Sequence, residues 1–133
     1  QLIRSNATEV ARNLRRGVDR LTGLVDEVVV AGAFPVSATP EVQAMAEELD
    51  SATFDRLIEI LDGIGAKVQR KLERRFAADE SVVVLNLKAA WDRVDDPLFI
   101  DAVHPSSDTS RQWAELMVPD LMQQLNSFGF SEG

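Results

Sequence analysis

EVVVA at residues 27–31 and SVVVL at residues 81–85 decide the fold class. Each carries a short β-branched run, Val28–Val30 and Val82–Val84, flanked by turn residues. Such runs suit a strand buried on both faces better than one with a solvated side. Between them Phe54, Ile58, Leu61, Val68, Leu72 and Phe76 keep a helical period for over twenty residues. Gly63 and Gly65 mark the expected place for a break or for close packing. Two strands joined by a long helical crossover must pair in parallel, through a right-handed connection. The chain is therefore expected to be α/β.

Working outward, Val10, Leu14, Val18 and Leu21 predict an amphipathic helix over about 7–23, with Asn6 and Glu9 in capping-box relation at its start. After the first strand, GAFPVSA at 32–38 reads as a loop. Thr39-Pro40 then supplies an N-cap and a first-turn proline for a short helix to about Leu49. Beyond the second strand, WDRVDDP at 91–97 is polar and turn-rich, and LFIDAVHPS fills 98–106. A last helix is expected from about Thr109, with Ser107 or Asp108 as cap and Trp113, Met117, Leu121 and Leu125 on its apolar face. Pro119 is expected to kink it or end it early.

No linker, repeat or compositional shift divides the 133 residues, so 1–133 reads as part of one domain. A two-stranded parallel sheet cannot bury both faces and both edges. Partner strands are therefore expected N-terminal to Gln1, an expectation in keeping with a sequence that opens on Gln rather than Met.

Composition narrows the chemistry. With no cysteine there is no disulfide, thiolate nucleophile or cysteine-held zinc. A formal charge of −8 disfavours a phosphate-backbone partner, so no nucleic acid is expected. Basic groups cluster at Arg12, Arg15, Arg16 and Arg20 and again at Lys67, Arg70, Lys71, Arg74 and Arg75, and read as solvated helix faces. No apolar run approaches the length of a membrane-spanning helix, and no signal-peptide pattern opens the chain. Localisation is not readable.

His104 is the only histidine, and Asp101 precedes it by three residues. A bend between them can bring the carboxylate onto the Nδ1 proton, fixing the tautomer and leaving Nε2 to accept a proton from a hydroxyl. In a chain with 12 aspartates the spacing alone decides nothing. The wider block says more. DAVHPS at 101–106, preceded by Leu98-Phe99-Ile100 and followed by a terminal amphipathic helix, resembles the last sequence block of the SGNH (GDSL-type) serine hydrolases. The upstream order of helix, strand with a proline-containing loop, long helical stretch and strand resembles the family as well.

The resemblance spans nearly the whole chain. It implies the C-terminal part of a flavodoxin-like three-layer α/β/α domain with parallel strands. It also implies an esterase- or lipase-like acyl hydrolysis of a small-molecule ester, with no metal or organic cofactor. His104 would be the base and Asp101 its orienter. The family's Gly-Asp-Ser block and the two blocks that complete its oxyanion hole are absent, so the nucleophile is expected in a missing N-terminal half of the same domain. This chain alone would then be inactive. Where many members have glycine five residues after the block histidine, this chain has Thr109.

None of Ser5, Ser37, Ser51, Ser81, Ser106, Ser107, Ser110, Ser127 or Ser131 has a Gly-x-Ser-x-Gly or Gly-Asp-Ser setting. Phe34 follows the first strand at the end where open α/β sheets bind ligands, and Val103 lies between Asp101 and His104; both are candidate substrate contacts. Two other readings remain. One is a non-catalytic α/β or helical interaction module, in which DAVHPS merely begins a helix. The other is a carboxylate metal site from Asp95, Asp96 and Asp101, which lacks a recognisable loop spacing.

Overall fold

The computed structural model describes residues 2–25 and 27–127, a mixed α/β arrangement around one two-stranded sheet. The elements are helix α1 (Leu2–Leu21), strand β1 (Val28–Ala31), helix α2 (Pro40–Gln43), helix α3 (Ser51–Phe76), strand β2 (Val82–Leu85), helix α4 (Leu87–Trp91) and helix α5 (Ser107–Ser127). Short 3₁₀ turns at Val36–Ala38 and Ala44–Glu47 flank α2. The strands pair in parallel with Val28 opposite Val82 and Ala31 opposite Leu85, as the crossover requires.

Alternation along the strands divides the sheet into two faces. Val28 and Val30 with Val82 and Val84 pack against Ala11 and Val18 of α1 and Val68, Leu72 and Phe76 of α3, which together form the core. On the other face α5 covers β2, whose Val83 is wholly buried, but Val29 of β1 stays 49 % exposed. The two edges differ as well. The Val84 carbonyl points away from β1 and accepts from the Gln124 side chain of α5 at 3.2 Å, so α5 reaches the outer edge of β2 at this one carbonyl. Among the described residues no strand pairs with the outer edge of β1.

Helix α1 shows the same asymmetry. Ala7, Ala11 and Val18 are buried, whereas Val10, Leu14 and Leu21, on an adjoining stripe, are exposed. Arg15 ties the helix down by lying over the Phe76 ring at 5.1 Å and pairing with Asp79 at 2.9 Å in the turn before β2.

Several local expectations are corrected. Helix α1 already runs from Leu2, so Asn6 is a helical residue and not a cap. The expected helix to Leu49 is a single α turn followed by a 3₁₀ turn, although Thr39 does cap it through Val42 N–H. Helix α3 passes through Gly63 and Gly65 without a break: a Cβ at Gly63 would meet open space, and Gly65 faces Ala33, so neither glycine answers to a turn. Helix α4 was not expected; the Asn86 carboxamide oxygen caps it by accepting from Ala89 N–H at 3.0 Å. Helix α5 begins at Ser107 and continues through Pro119, because the packing of its body on β2 and α4 outweighs one lost backbone bond. Its cap is Ser106, whose Oγ accepts from Thr109 N–H at 3.2 Å, rather than Ser107 or Asp108.

Candidate active site

The segment expected to be a bent loop is a miniature antiparallel hairpin. Ile100 N–H donates to the His104 carbonyl at 2.9 Å, Ser106 N–H donates to the Leu98 carbonyl at 2.8 Å, and Phe99 bridges to Pro105. Asp101 makes the turn. Its Oδ1 accepts from Val103 N–H at 2.9 Å and from His104 N–H at 2.7 Å, an aspartate side chain standing in for a backbone turn. Its Oδ2 is then 2.8 Å from His104 Nδ1. The structure thus brings the two triad candidates together, and the carboxylate that shapes the turn is the one that meets the ring.

Those bonds hold the Asp101 carboxyl at about 2, chiefly through Val103 N–H, then His104 N–H, then the His104 side chain. A carboxylate ionised throughout the neutral range accepts but cannot donate. Nδ1 of a neutral His104 must therefore carry the proton, which leaves Nε2 as the bare, basic nitrogen. Chemically the pair is an oriented general base.

The hairpin is anchored at three points. At its base Thr109, 5 % exposed, uses Oγ1 to accept from Leu98 N–H at 2.9 Å. At its tip the Ala102 carbonyl accepts from Glu41 N–H at 3.1 Å. Beneath it Phe99 packs on Trp91 at 5.6 Å, Trp91 meets Trp113 edge-on at 5.0 Å, and Trp113 meets Phe34 at 5.7 Å. Trp113 is itself fixed by Nε1–H donation to the Leu87 carbonyl at 2.9 Å. The hairpin therefore rests on an aromatic cluster gathered from α4, α5 and the loop after β1.

Phe34 has a place in this cluster and on the wall of a cavity of about 360 Å³ at the carboxyl ends of the strands, with Pro35, Leu61, Gln69 and Asn86. Asp101, Val103 and His104 do not line that cavity. Val103 sits at the hairpin tip, partly exposed, and shares with the dyad only its N–H to Asp101. The structure thus keeps Phe34 and Val103 in separate surroundings.

The dyad itself is open, with side-chain exposures of 69 % for His104 and 51 % for Asp101. Leu98 and Ile100 beside it are also strongly exposed. No serine hydroxyl among the described residues is bonded to His104. Ser37 donates to Asp62, Ser81 donates to Asp79 and Ser106 caps α5. Ser131 lies outside the described residues, as do the side chains of Ser5, Asn6 and Ser127. Among the described residues no three histidine, cysteine, aspartate or glutamate side chains converge, so Asp95, Asp96 and Asp101 do not assemble. No described helix is long and apolar enough to cross a membrane.

Sequence reasoning missed Thr109, Ser106, Glu41 and the aromatic cluster. For Ser106 and Thr109 a signal existed, a hydroxyl residue three places before the first buried position of a helix. No spacing announces that Trp91 and Trp113 meet. No family model, no curated protein and no solved structure matches this chain.

Proposed function

We propose that this chain supplies the Asp–His pair of an SGNH-type serine ester hydrolase. His104 Nε2 is the base that takes a proton from a serine hydroxyl, and Asp101 holds the ring. The observation that carries the reading is the 2.8 Å bond from Asp101 Oδ2 to Nδ1, made by a carboxylate whose other oxygen builds the turn. The serine attacks the ester carbonyl, His104 returns its proton to the departing alkoxide, and water then releases the acyl group by the same exchange. No step calls on a metal or an organic cofactor.

The expectation of a larger three-layer sandwich draws support from the asymmetry of the sheet. With Gln124 holding one carbonyl on the outer edge of β2, further strands add at β1, towards the exposed apolar stripe Val10, Leu14 and Leu21 and exposed Val29. A parallel strand there would cover all four and bring a loop at its carboxyl end towards the dyad. The interaction-module reading needs a core closed without such a strand, which these exposed side chains do not form.

The test is fluorophosphonate labelling and activated-ester hydrolysis by the whole product of the gene, in parent and His104→Ala forms. Labelling of a serine outside residues 1–133, lost in His104→Ala, supports the proposal. Hydrolysis that survives His104→Ala, or a gene product lacking a Gly-Asp-Ser block, overturns it.

A further inference from the structure

The helix α3 carries an unexplained charge asymmetry. From Gly63 to its end at Phe76 it holds Lys67, Arg70, Lys71, Arg74 and Arg75 against one carboxylate, Glu73, in a chain whose net charge is −8. Lys67, Arg70, Lys71 and Arg74 stand at i, i+3, i+4 and i+7, so all four share one face. That face forms, with Ala7 of α1, a groove of about 350 Å³. Ala7 is almost fully buried and Lys67 and Lys71 are half-buried.

Of the other described basic side chains four are matched, whereas Arg12, Arg16, Arg20, Arg75 and Arg93 stand apart along the surface with no ion pair among the described residues. Arg15 has Asp19 and Asp79, Arg56 has Glu59, Lys88 has Asp92 and Arg111 has Asp108. Among the described residues no carboxylate lies within ion-pair distance of the four groove cations. Glu73, one turn from Arg70 and beside it on the wall of the cavity at the strand ends, is engaged by the Gln69 amide at 3.1 Å. Four like charges crowded on two turns repel one another, and an anion in the groove removes that repulsion while gaining several charge-assisted bonds.

We infer that the groove between α1 and α3 binds a compact, multiply charged phosphate group. Its size suits one pyrophosphate or phosphomonoester moiety, and two arginines offer the planar forks that grip phosphate oxygens in pairs. The phosphate belongs either to a free small molecule or to the headgroup of an anionic lipid. Neither dyad residue lines this groove, so the site stands apart from the proposed hydrolytic chemistry.

The test is calorimetric titration of the full chain with pyrophosphate, alongside flotation with phosphatidic acid vesicles and with phosphatidylcholine vesicles as reference. Lys71→Gln/Arg74→Gln is expected to weaken binding about tenfold or more, and raising salt from low to physiological strength to weaken it several-fold. Because these side chains lie on the surface, the fold is expected to survive, as circular dichroism verifies. Arg12→Gln/Arg16→Gln removes equal charge from α1 outside the groove lining and is expected to change binding less than twofold. Pyrophosphate binding lost in the α3 variant supports a free ligand, and phosphatidic acid binding alone, lost in the same variant, supports a lipid headgroup. No binding of either probe, or equal loss in the α1 variant, overturns the inference.

Discussion

Replacing Thr109 by valine tests whether the dyad's geometry is held from the base of the hairpin. The two side chains are almost equal in volume, so no cavity opens; what disappears is the hydroxyl oxygen that accepts from Leu98 N–H at 2.9 Å. Thr109 is 5 % exposed, so water reaches that N–H poorly and the donor is left largely unpaired. An unpaired, partly buried donor costs about 1–2 kcal/mol, a large share of a domain's net stability. Because 1.4 kcal/mol is about a factor of ten, the population with an open hairpin is expected to rise about tenfold. Native-state hydrogen exchange reads this directly. The Ile100 and Ser106 amides, which close the hairpin, are expected to exchange about tenfold faster, while Gly32, bonded to the Leu85 carbonyl at 2.9 Å in the sheet, holds its rate. Thr109→Ser keeps the hydroxyl and is expected to stay near the parent. Exchange at Ile100 within twofold of the parent in Thr109→Val would refute the reasoning and place the hold at Glu41 or in the aromatic cluster.

Asp101→Asn keeps an oxygen for the turn but can present an amide N–H to Nδ1. The His104 ring is then expected to move its proton to Nε2, visible in ring ¹⁵N spectra, and the proposed hydrolysis to fall on the order of 10⁴-fold; a ring still protonated at Nδ1 contradicts the assigned role. Acidification acts on the same bonds. The Asp101 carboxyl titrates lower when folded, at about 2, than unfolded, near 3.8, so its contribution is full above about pH 4 and is lost as pH falls through 2. Amide shifts of Val103 and His104 are expected to move together with a midpoint at about 2, and a midpoint at the unperturbed 3.8 would rule out the turn bonds. Gly32→Ala places a Cβ 2.7 Å from the Leu85 carbonyl oxygen and into the Gln69 side chain. It is expected to cost about 1–3 kcal/mol in urea denaturation, and a midpoint equal to the parent's would mean that the strand end shifts freely.

The unequal covering of the sheet has a bearing on behaviour in solution. Val29 of β1 and Val10 and Leu14 of α1 are exposed, and among the described residues no strand pairs with the outer edge of β1; exposed apolar groups with an unpaired strand edge promote association through added strands.

By itself the sequence determined the parallel pairing of 28–31 with 82–85, because β-branched runs separated by a long helical period admit little else. It also determined that Asp101 and His104 could meet, since three residues are a short tether whatever the surrounding fold. Tertiary structure decided the rest. That Asp101 uses one oxygen to build the turn and the other to hold the ring depends on a hairpin whose strands are too short to register as a periodic pattern. That Thr109 stands beneath Leu98, and Trp91 beside Trp113 and Phe99, depends on where α4 and α5 settle around β2, and contacts between distant segments leave no local trace. Which edge of the sheet α5 reaches rests on one long-range hydrogen bond, from Gln124 to Val84, that joins residues forty positions apart.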